Sequence, residues 1–270
     1  MSNSQRKVVL VTGASSGIGQ AIAAHLQARG YRVFGTHRQA ATVNGINLIS
    51  MNVDDDQSVQ QGIQTVYQTA GRLDAVVNNA GWAVLGAVED TSLAEAKAQF
   101  ETNFFGVLRV NKAVLPIMRQ QRCGHIINIS SLGGILGTPF SGLYCATKFA
   151  VEGMSESLRF ETRQFGVRVV LIEPGDFKTQ FTTARRQVEG SKSSEVYRAS
   201  FTRFMATQAK DEANAPTPEP IAELVERILR NPNPRLRYSV GMASQRIVIP
   251  MKRYLPQGVF EWVLKQVFQM

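Results

Sequence analysis

The run Val8-Val9-Leu10-Val11-Thr12-Gly13-Ala14-Ser15-Ser16-Gly17-Ile18-Gly19 constrains the fold more than any other stretch of this chain. Its consecutive apolar residues read as a strand buried on both faces, as in a parallel sheet covered by helices. Ala21-Ile22-Ala23-Ala24 and Leu26 then carry apolar side chains at helical spacing. Between the two, Gly13, Gly17 and Gly19 clear side chains from the turn. A glycine-rich turn alone is a weak signal. Between a strand and a helix it lets backbone amides close on a phosphate at the positive end of the helix dipole. Arg32 to Thr36 supplies a second strand and completes a βαβ unit.

The alternation continues. Leu48 to Met51 reads as a third strand, Asp56 to Ala70 as a helix, and Leu73 to Val77 as a fourth strand. Leu93 to Arg119 reads as one long helix with a kink or an irregular last turn at Pro116. Gly124 to Ile129, Leu143 to Phe165 and Val167 to Ile172 then read as strand, helix and strand. This pattern predicts an α/β fold: a single Rossmann-like, doubly wound domain with a parallel sheet flanked by helices on both faces. Ligands of such sheets bind beyond the carboxyl ends of the strands. Gly13, Asn79, Ser131 and Pro174 each follow a predicted strand, so motifs distant in sequence converge at one edge.

Tyr144 and Lys148 stand four residues apart, and Ser131 lies thirteen before the tyrosine. Positions i and i+4 share a helix face. A phenol with a pKa of ~10 is a poor proton shuttle at neutral pH, and a neighbouring ammonium lowers that pKa. Ser131 would add a hydroxyl able to hold a carbonyl oxygen; Ser130 is its rival. Taken alone, Tyr and Lys at this spacing are a common surface pair. The glycine loop upstream gives the pair a chemical context.

Together these segments make the chain resemble the short-chain dehydrogenase/reductase family. The motifs are Thr12 to Gly19, Asn78-Asn79-Ala80-Gly81, Asn103, Tyr144 to Lys148 and Pro174-Gly175, covering residues 7 to about 180. Within it, the chain resembles the branch that includes 17β-hydroxysteroid and retinol dehydrogenases. The resemblance implies a catalytic set of Asn103, Ser131, Tyr144 and Lys148. Tyr144 would be the acid in reduction and the base in oxidation. Lys148 would tune it and bond the nicotinamide ribose, and Asn103 would anchor a water leading to Lys148 or, alternatively, serve as a buried structural amide. The cofactor site would comprise Gly13, Ser15, Ser16, Gly17, Ile18, Gly19, Arg38, Asn52, Val53, Asn79, Ala80, Gly81, Tyr144, Lys148, Pro174, Gly175 and Thr179, the last holding the nicotinamide carboxamide.

Cofactor choice turns on the end of the second strand. An acid there would bond the adenosine ribose and repel a 2′-phosphate. The chain has Thr36-His37-Arg38 instead, and no Asp or Glu precedes Asp54. Arg38 is placed to stack on adenine or to fork onto a 2′-phosphate, unless it is a solvated surface arginine. The expected cofactor is NADP(H). Asn52 stands where the family usually has an aspartate, and Ser15 where NADP-preferring relatives often carry a base.

At 270 residues, 44% hydrophobic and 19% charged, the chain suits one globular domain over 1–270. No signal peptide or membrane span is legible, and two cysteines are too few for a disulfide framework, so the expected location is cytoplasmic. The three scattered histidines give no metal-ligand spacing. By resemblance, residues 176–215 would cover the substrate. Phe177, Phe181, Tyr197, Phe201, Phe204 and Met205 there form either an aromatic lid for a small apolar alcohol or carbonyl (a steroid, retinoid or lipid-like ketone) or plain packing, and Trp82 is a further candidate wall. The net charge of +9 comes without a nucleic-acid motif, so no nucleic-acid partner is expected. Residues 211–220 read as a loop. Residues 241–270 read as a C-terminal helical extension, with packing favoured over peripheral membrane contact. The resemblance implies a homodimer or homotetramer through the two long helices. The two functions left open are an NADP(H)-dependent oxidoreductase and a non-catalytic NADP(H)-binding sensor on the same fold.

Overall fold

A computed structural model describes residues 6–43, 45–180 and 185–268. The elements run β1 (Val8–Val11), α1 (Gly17–Ala28), β2 (Arg32–His37), β3 (Ala41–Val43), β4 (Ile46–Ser50), α2 (Asp56–Ala70), β5 (Ala75–Asn78), β6 (Val84–Leu85), α3 (Leu93–Phe100), α4 (Gly106–Gln121) and β7 (Gly124–Ile129). They continue with α5 (Gly142–Thr162), β8 (Val167–Pro174), β9 (Arg186–Gln187), α6 (Glu189–Ser193), α7 (Arg198–Asn214), α8 (Glu219–Arg230), β10 (Arg237–Val240), α9 (Ala243–Arg246), α10 (Val248–Tyr254) and α11 (Gln257–Phe268).

The main sheet has the order β10-β8-β7-β5-β1-β2-β4-β3. Its first seven strands are parallel, and β3 pairs antiparallel with β4 at the edge. The sequence expectation missed β3 and β10. Both are short edge strands without a continuous apolar run.

β1 shows why the sheet needs two helical layers. Val9 and Val11 pack with Ile22 and Leu26 of α1 and Ile221 and Val225 of α8. Val8 and Leu10 pack on the other face with Val59 and Ile63 of α2 and Val110 and Met118 of α4. Each such side chain stabilises the fold by about 1.5–3 kcal/mol. Helix ends are specified locally. Asp55 accepts the Ser58 N–H to start α2, Gly71 ends it with a φ of 72°, and Ser92 and Glu95 form a capping box at α3.

The long helix expected over 93–119 is helical throughout, but its irregularity is not at Pro116. A π-turn at Glu101–Phe105 separates α3 from α4. It lies where Asn103 must reach the backbone of Trp82. The loop expected at 211–220 is shorter, because α7 runs to Asn214.

Candidate active site

The strand order reverses between β1 and β5, which opens a crevice beyond their carboxyl ends. One hydroxyl stitches it. Thr12 Oγ1 accepts the N–H groups of Asn79 and Ala80 at 2.9 and 3.0 Å. Asn79 Nδ2 returns bonds to the carbonyls of Thr12 and Gly13, both 3.0 Å. The glycines beside it are sterically required. Gly13 and Gly17 have φ of 63° and 55°, and a Cβ on Gly13 would meet the Ala80 backbone at 3.0 Å. A Cβ on Gly19 would run into the Asn79 side chain and the Gly13 carbonyl.

This cradle opens onto the start of α1. That first turn carries no acid, and Ser16 at its N-cap makes no side-chain cap bond. The backbone N–H groups of that turn meet no acid on their own helix start, which fits a dinucleotide pyrophosphate. Thr179 closes the far side, its Cβ 3.2 Å from where a Gly17 side chain would begin. Pro174 ends β8, Gly175 N–H bonds the Val240 carbonyl, and Gln245 clamps the turn through the Asp176 N–H at 2.9 Å and its carboxylate at 2.6 Å. Arg38 is exposed just past the end of β2. The Asn52 side chain accepts the Asp54 N–H at 3.3 Å, and Val53 is buried beside Gly106.

Ser131, Tyr144 and Lys148 meet at the ends of β7 and the start of α5. Ser131 caps a short 3-10 turn by accepting the Gly133 N–H at 3.0 Å, and its hydroxyl bonds the Tyr144 phenol. Ser130, by contrast, is nearly fully buried on the Glu152 side of Gly134. Lys148 is 6% exposed and donates to the Ile129 carbonyl at 2.9 Å, its Nζ 5.8 Å from the Tyr144 ring centroid.

The electrostatics correct the expectation of a phenol lowered by its lysine. Burial pushes the Tyr144 phenol up to about 12, only partly offset by the Ser131 bond. Burial also draws the Lys148 ammonium down to about 8, against the pull of the Glu152 carboxylate. The reason is that the same desolvation falls on both groups, while the ammonium is held by a backbone carbonyl rather than by the phenol oxygen.

Asn103 is fully buried. Its amide donates to the Trp82 carbonyl at 2.8 Å and to Thr147 Oγ1 at 3.2 Å, and its oxygen accepts the Trp82 N–H at 3.0 Å. Both amide hydrogens are therefore committed to tying the π-turn to Trp82 and α5. These bonds reach Thr147, the chain neighbour of Lys148, and not Lys148 itself, whose Nζ bonds the Ile129 carbonyl.

Residues 7–190 match the family model described as short chain dehydrogenase. The chain belongs to the short-chain dehydrogenase family. It is 39% identical over 262 residues to a 3-ketodihydrosphingosine reductase of Bacteroides thetaiotaomicron, covering 97% of each chain. It is also 39% identical to human retinol dehydrogenase 8 over 190 residues, 65% of this chain and 60% of that one. Among solved structures, a short-chain dehydrogenase from Streptomyces avermitilis superposes with a TM-score of 0.82 at 32% identity, covering 96% of both chains. ElxO with NADP bound gives 0.71 at 26%, covering 87% and 97%. A Burkholderia phymatum family member in complex with NAD shares the fold at 0.77 and 22%, covering 94% and 96%. Short-chain dehydrogenases of this fold thus bind nicotinamide cofactors of both kinds.

Some groups around this short-chain dehydrogenase site gave no signal in the sequence. Glu152, one turn beyond Lys148, and Glu173 of β8 are buried and share Arg237 of β10 at 2.9 and 3.4 Å. Burial raises both carboxyls. Three residues from three elements, far apart in the chain, leave no spacing to read.

The aromatic segment divides between the two readings, lid and plain packing. Phe140, Tyr197, Phe201 and Phe204 do cluster, with Phe140 5.3 Å from Phe201 and 5.5 Å from Phe204. Phe177 instead lies in the core with Ile172 and Ile221, and Met205 is exposed. Phe181 lies outside the described residues. Trp82 is half-buried, bonded through Nε1 to Thr102 and covered by Arg186.

Proposed function

We propose that this protein is an NADP(H)-dependent reductase converting a ketone or aldehyde on an apolar, lipid-like substrate to the alcohol. The observation that carries the reading is the Ser131–Tyr144 hydrogen bond beside buried Lys148, at the same sheet edge as the glycine cradle. A phenol near pKa 12 stays protonated at neutral pH and is a loaded donor for an incipient alkoxide. Ser131 would hold the substrate oxygen and Lys148 would supply positive charge close by. The bound dinucleotide supplies the hydride. A protein that only sensed the cofactor would have no use for this acid-base set.

Arg38, with no acid before Asp54, supports NADP(H) over NAD(H). The aromatic cluster beside the Ser131–Tyr144 loop supports an apolar substrate, and so does the similarity to a 3-ketodihydrosphingosine reductase. The test is NADPH oxidation with long-chain 3-ketones and short water-soluble ketones. We expect kcat/KM to climb with chain length by about tenfold per 1.4 kcal/mol of added apolar contact. Arg38→Asp should weaken NADPH binding while leaving NADH level. Absence of turnover on every ketone, with cofactor binding intact, would favour the sensor. An unchanged preference in the variant would remove Arg38 from the cofactor site.

A further inference from the structure

Helix α11 has two unlike faces. Leu264 and Phe268 join the aromatic cluster of Phe140, Phe201 and Phe204, with Phe204 and Phe268 rings 6.0 Å apart, and Phe260 is buried as well. This agrees with packing of the C-terminal segment on the domain. Val259 and Trp262, three residues apart, fall on the other side of the helix. Trp262 leaves 62% of its surface in solvent. Just upstream, Ile247 and Tyr254 are exposed too. Single exposed apolar residues are ordinary; several large ones in one short stretch mark an interaction surface.

The charge around them is one-sided. Residues 243–268 carry Arg246, Lys252, Arg253 and Lys265 against Glu261 alone, whose carboxylate is engaged by Gln257 at 2.7 Å. Lys252 is turned onto the domain, bonded to the Ile135 carbonyl, whereas Arg253 lies over the exposed Tyr254 and Lys265 is exposed on α11. A two-fold contact between copies through this face would set those cations against their own duplicates. An anionic headgroup layer matches them, and aromatic and aliphatic residues rimmed by Lys and Arg suit a helix lying in that layer. Among the described residues no helix is long and apolar enough to cross a membrane, so the contact would be peripheral.

We propose that the outer face of α11, centred on Val259 and Trp262, with Lys265 on the same helix and Arg253 over the exposed Tyr254 just before it, docks this protein on an anionic phospholipid bilayer. This deepens the apolar-substrate reading and rests on it: the docked helix roofs the aromatic cluster beside the site, giving a lipid ketone a short path from bilayer to cleft.

The chain has two tryptophans, and Trp82 is tied to Thr102 inside the domain. Trp262 therefore reports docking by fluorescence. With mixed phosphatidylserine/phosphatidylcholine vesicles we expect a saturable blue shift, lost in Trp262→Phe and absent with phosphatidylcholine alone. Trp262→Glu and the paired variant Arg253→Glu/Lys265→Glu should each weaken vesicle binding by more than about tenfold while reducing a short soluble ketone at the wild-type rate. No wild-type binding to the anionic vesicles would overturn the proposal. So would a concentration-dependent blue shift without vesicles, accompanied by faster sedimentation, because a second copy would then cover the face. Binding needs no turnover, so failure here is separable from failure of the reductase reading, which the soluble ketone reports.

Discussion

Lys148 Nζ donates to the main-chain carbonyl of Ile129 at 2.9 Å, which pins α5 to the end of β7. The bond holds the ammonium in a site that lowers its pKa from 10.5 to about 8. The unfolded chain binds more protons than the folded one between those values, so stability rises with pH from about 8 to 10.5. Below 8 the burial penalty acts in full, on the order of 3 kcal/mol. Replacing Lys148 with Met removes that penalty and forfeits about 1 kcal/mol of hydrogen bonding to Ile129. We expect Lys148→Met to lose turnover, yet to resist urea by about 2 kcal/mol more than wild type at pH 7. The gain should shrink above pH 8 and reverse before pH 10.5, where little but the lost hydrogen bond remains.

The Ser131 hydroxyl lowers the Tyr144 pKa against the effect of burial. Ser131→Ala therefore raises that pKa further. In the oxidative direction, where the phenolate is the base, the rate should climb with pH, and the variant's climb should be displaced to higher pH. Reduction should slow by about 10–100-fold at neutral pH, since one donor to the substrate oxygen is gone. Steady-state pH profiles in both directions check this.

Thr12 Oγ1 serves two backbone N–H groups at once. A valine has the shape but not the acceptor, so Thr12→Val leaves the Asn79 and Ala80 donors unpaired in a closed crevice. The expected cost is about 1–3 kcal/mol of stability, with weaker cofactor binding, because the loop from Asn79 to Gly81 loses its anchor. Denaturant midpoints and cofactor titration measure the two effects separately.

Arg237 holds the buried carboxylates Glu152 and Glu173, and its guanidinium also pairs with Glu156. Removing the cation strands two acids whose pKa values burial already raises. Arg237 is itself 37% exposed, which screens the interaction, so Arg237→Met should destabilise by about 1–3 kcal/mol at pH 8. The folded variant then holds protons that the unfolded chain has released, so its stability falls with rising pH, and the deficit should be smaller at pH 5. Melting curves at the two pH values test the sign.

Much of the fold was legible because its signals are local. Asp56 to Ala70 and Gly124 to Ile129 have the boundaries that periodicity and caps predict. The convergence of Gly13, Asn79, Ser131 and Pro174 was expected because each follows a predicted strand of a parallel sheet. What stayed hidden depends on three-dimensional company. The π-turn at Glu101–Phe105 answers to the distant Trp82 backbone. Phe177 has the same composition signal as the lid aromatics but is drawn into the core by Ile221 of a later helix. The Tyr144 and Lys148 pKa values follow from burial, which spacing does not report.

The central claim is that the Tyr144 phenol delivers the proton to a carbonyl oxygen held by Ser131. NADPH oxidation by wild type and Tyr144→Phe, with the same long-chain ketone and with NADPH affinity measured in parallel, tests it most directly. The account predicts that the phenylalanine variant binds NADPH within about twofold of wild type and loses turnover by at least about 10²–10⁴-fold. Equal turnover by the two proteins would contradict it.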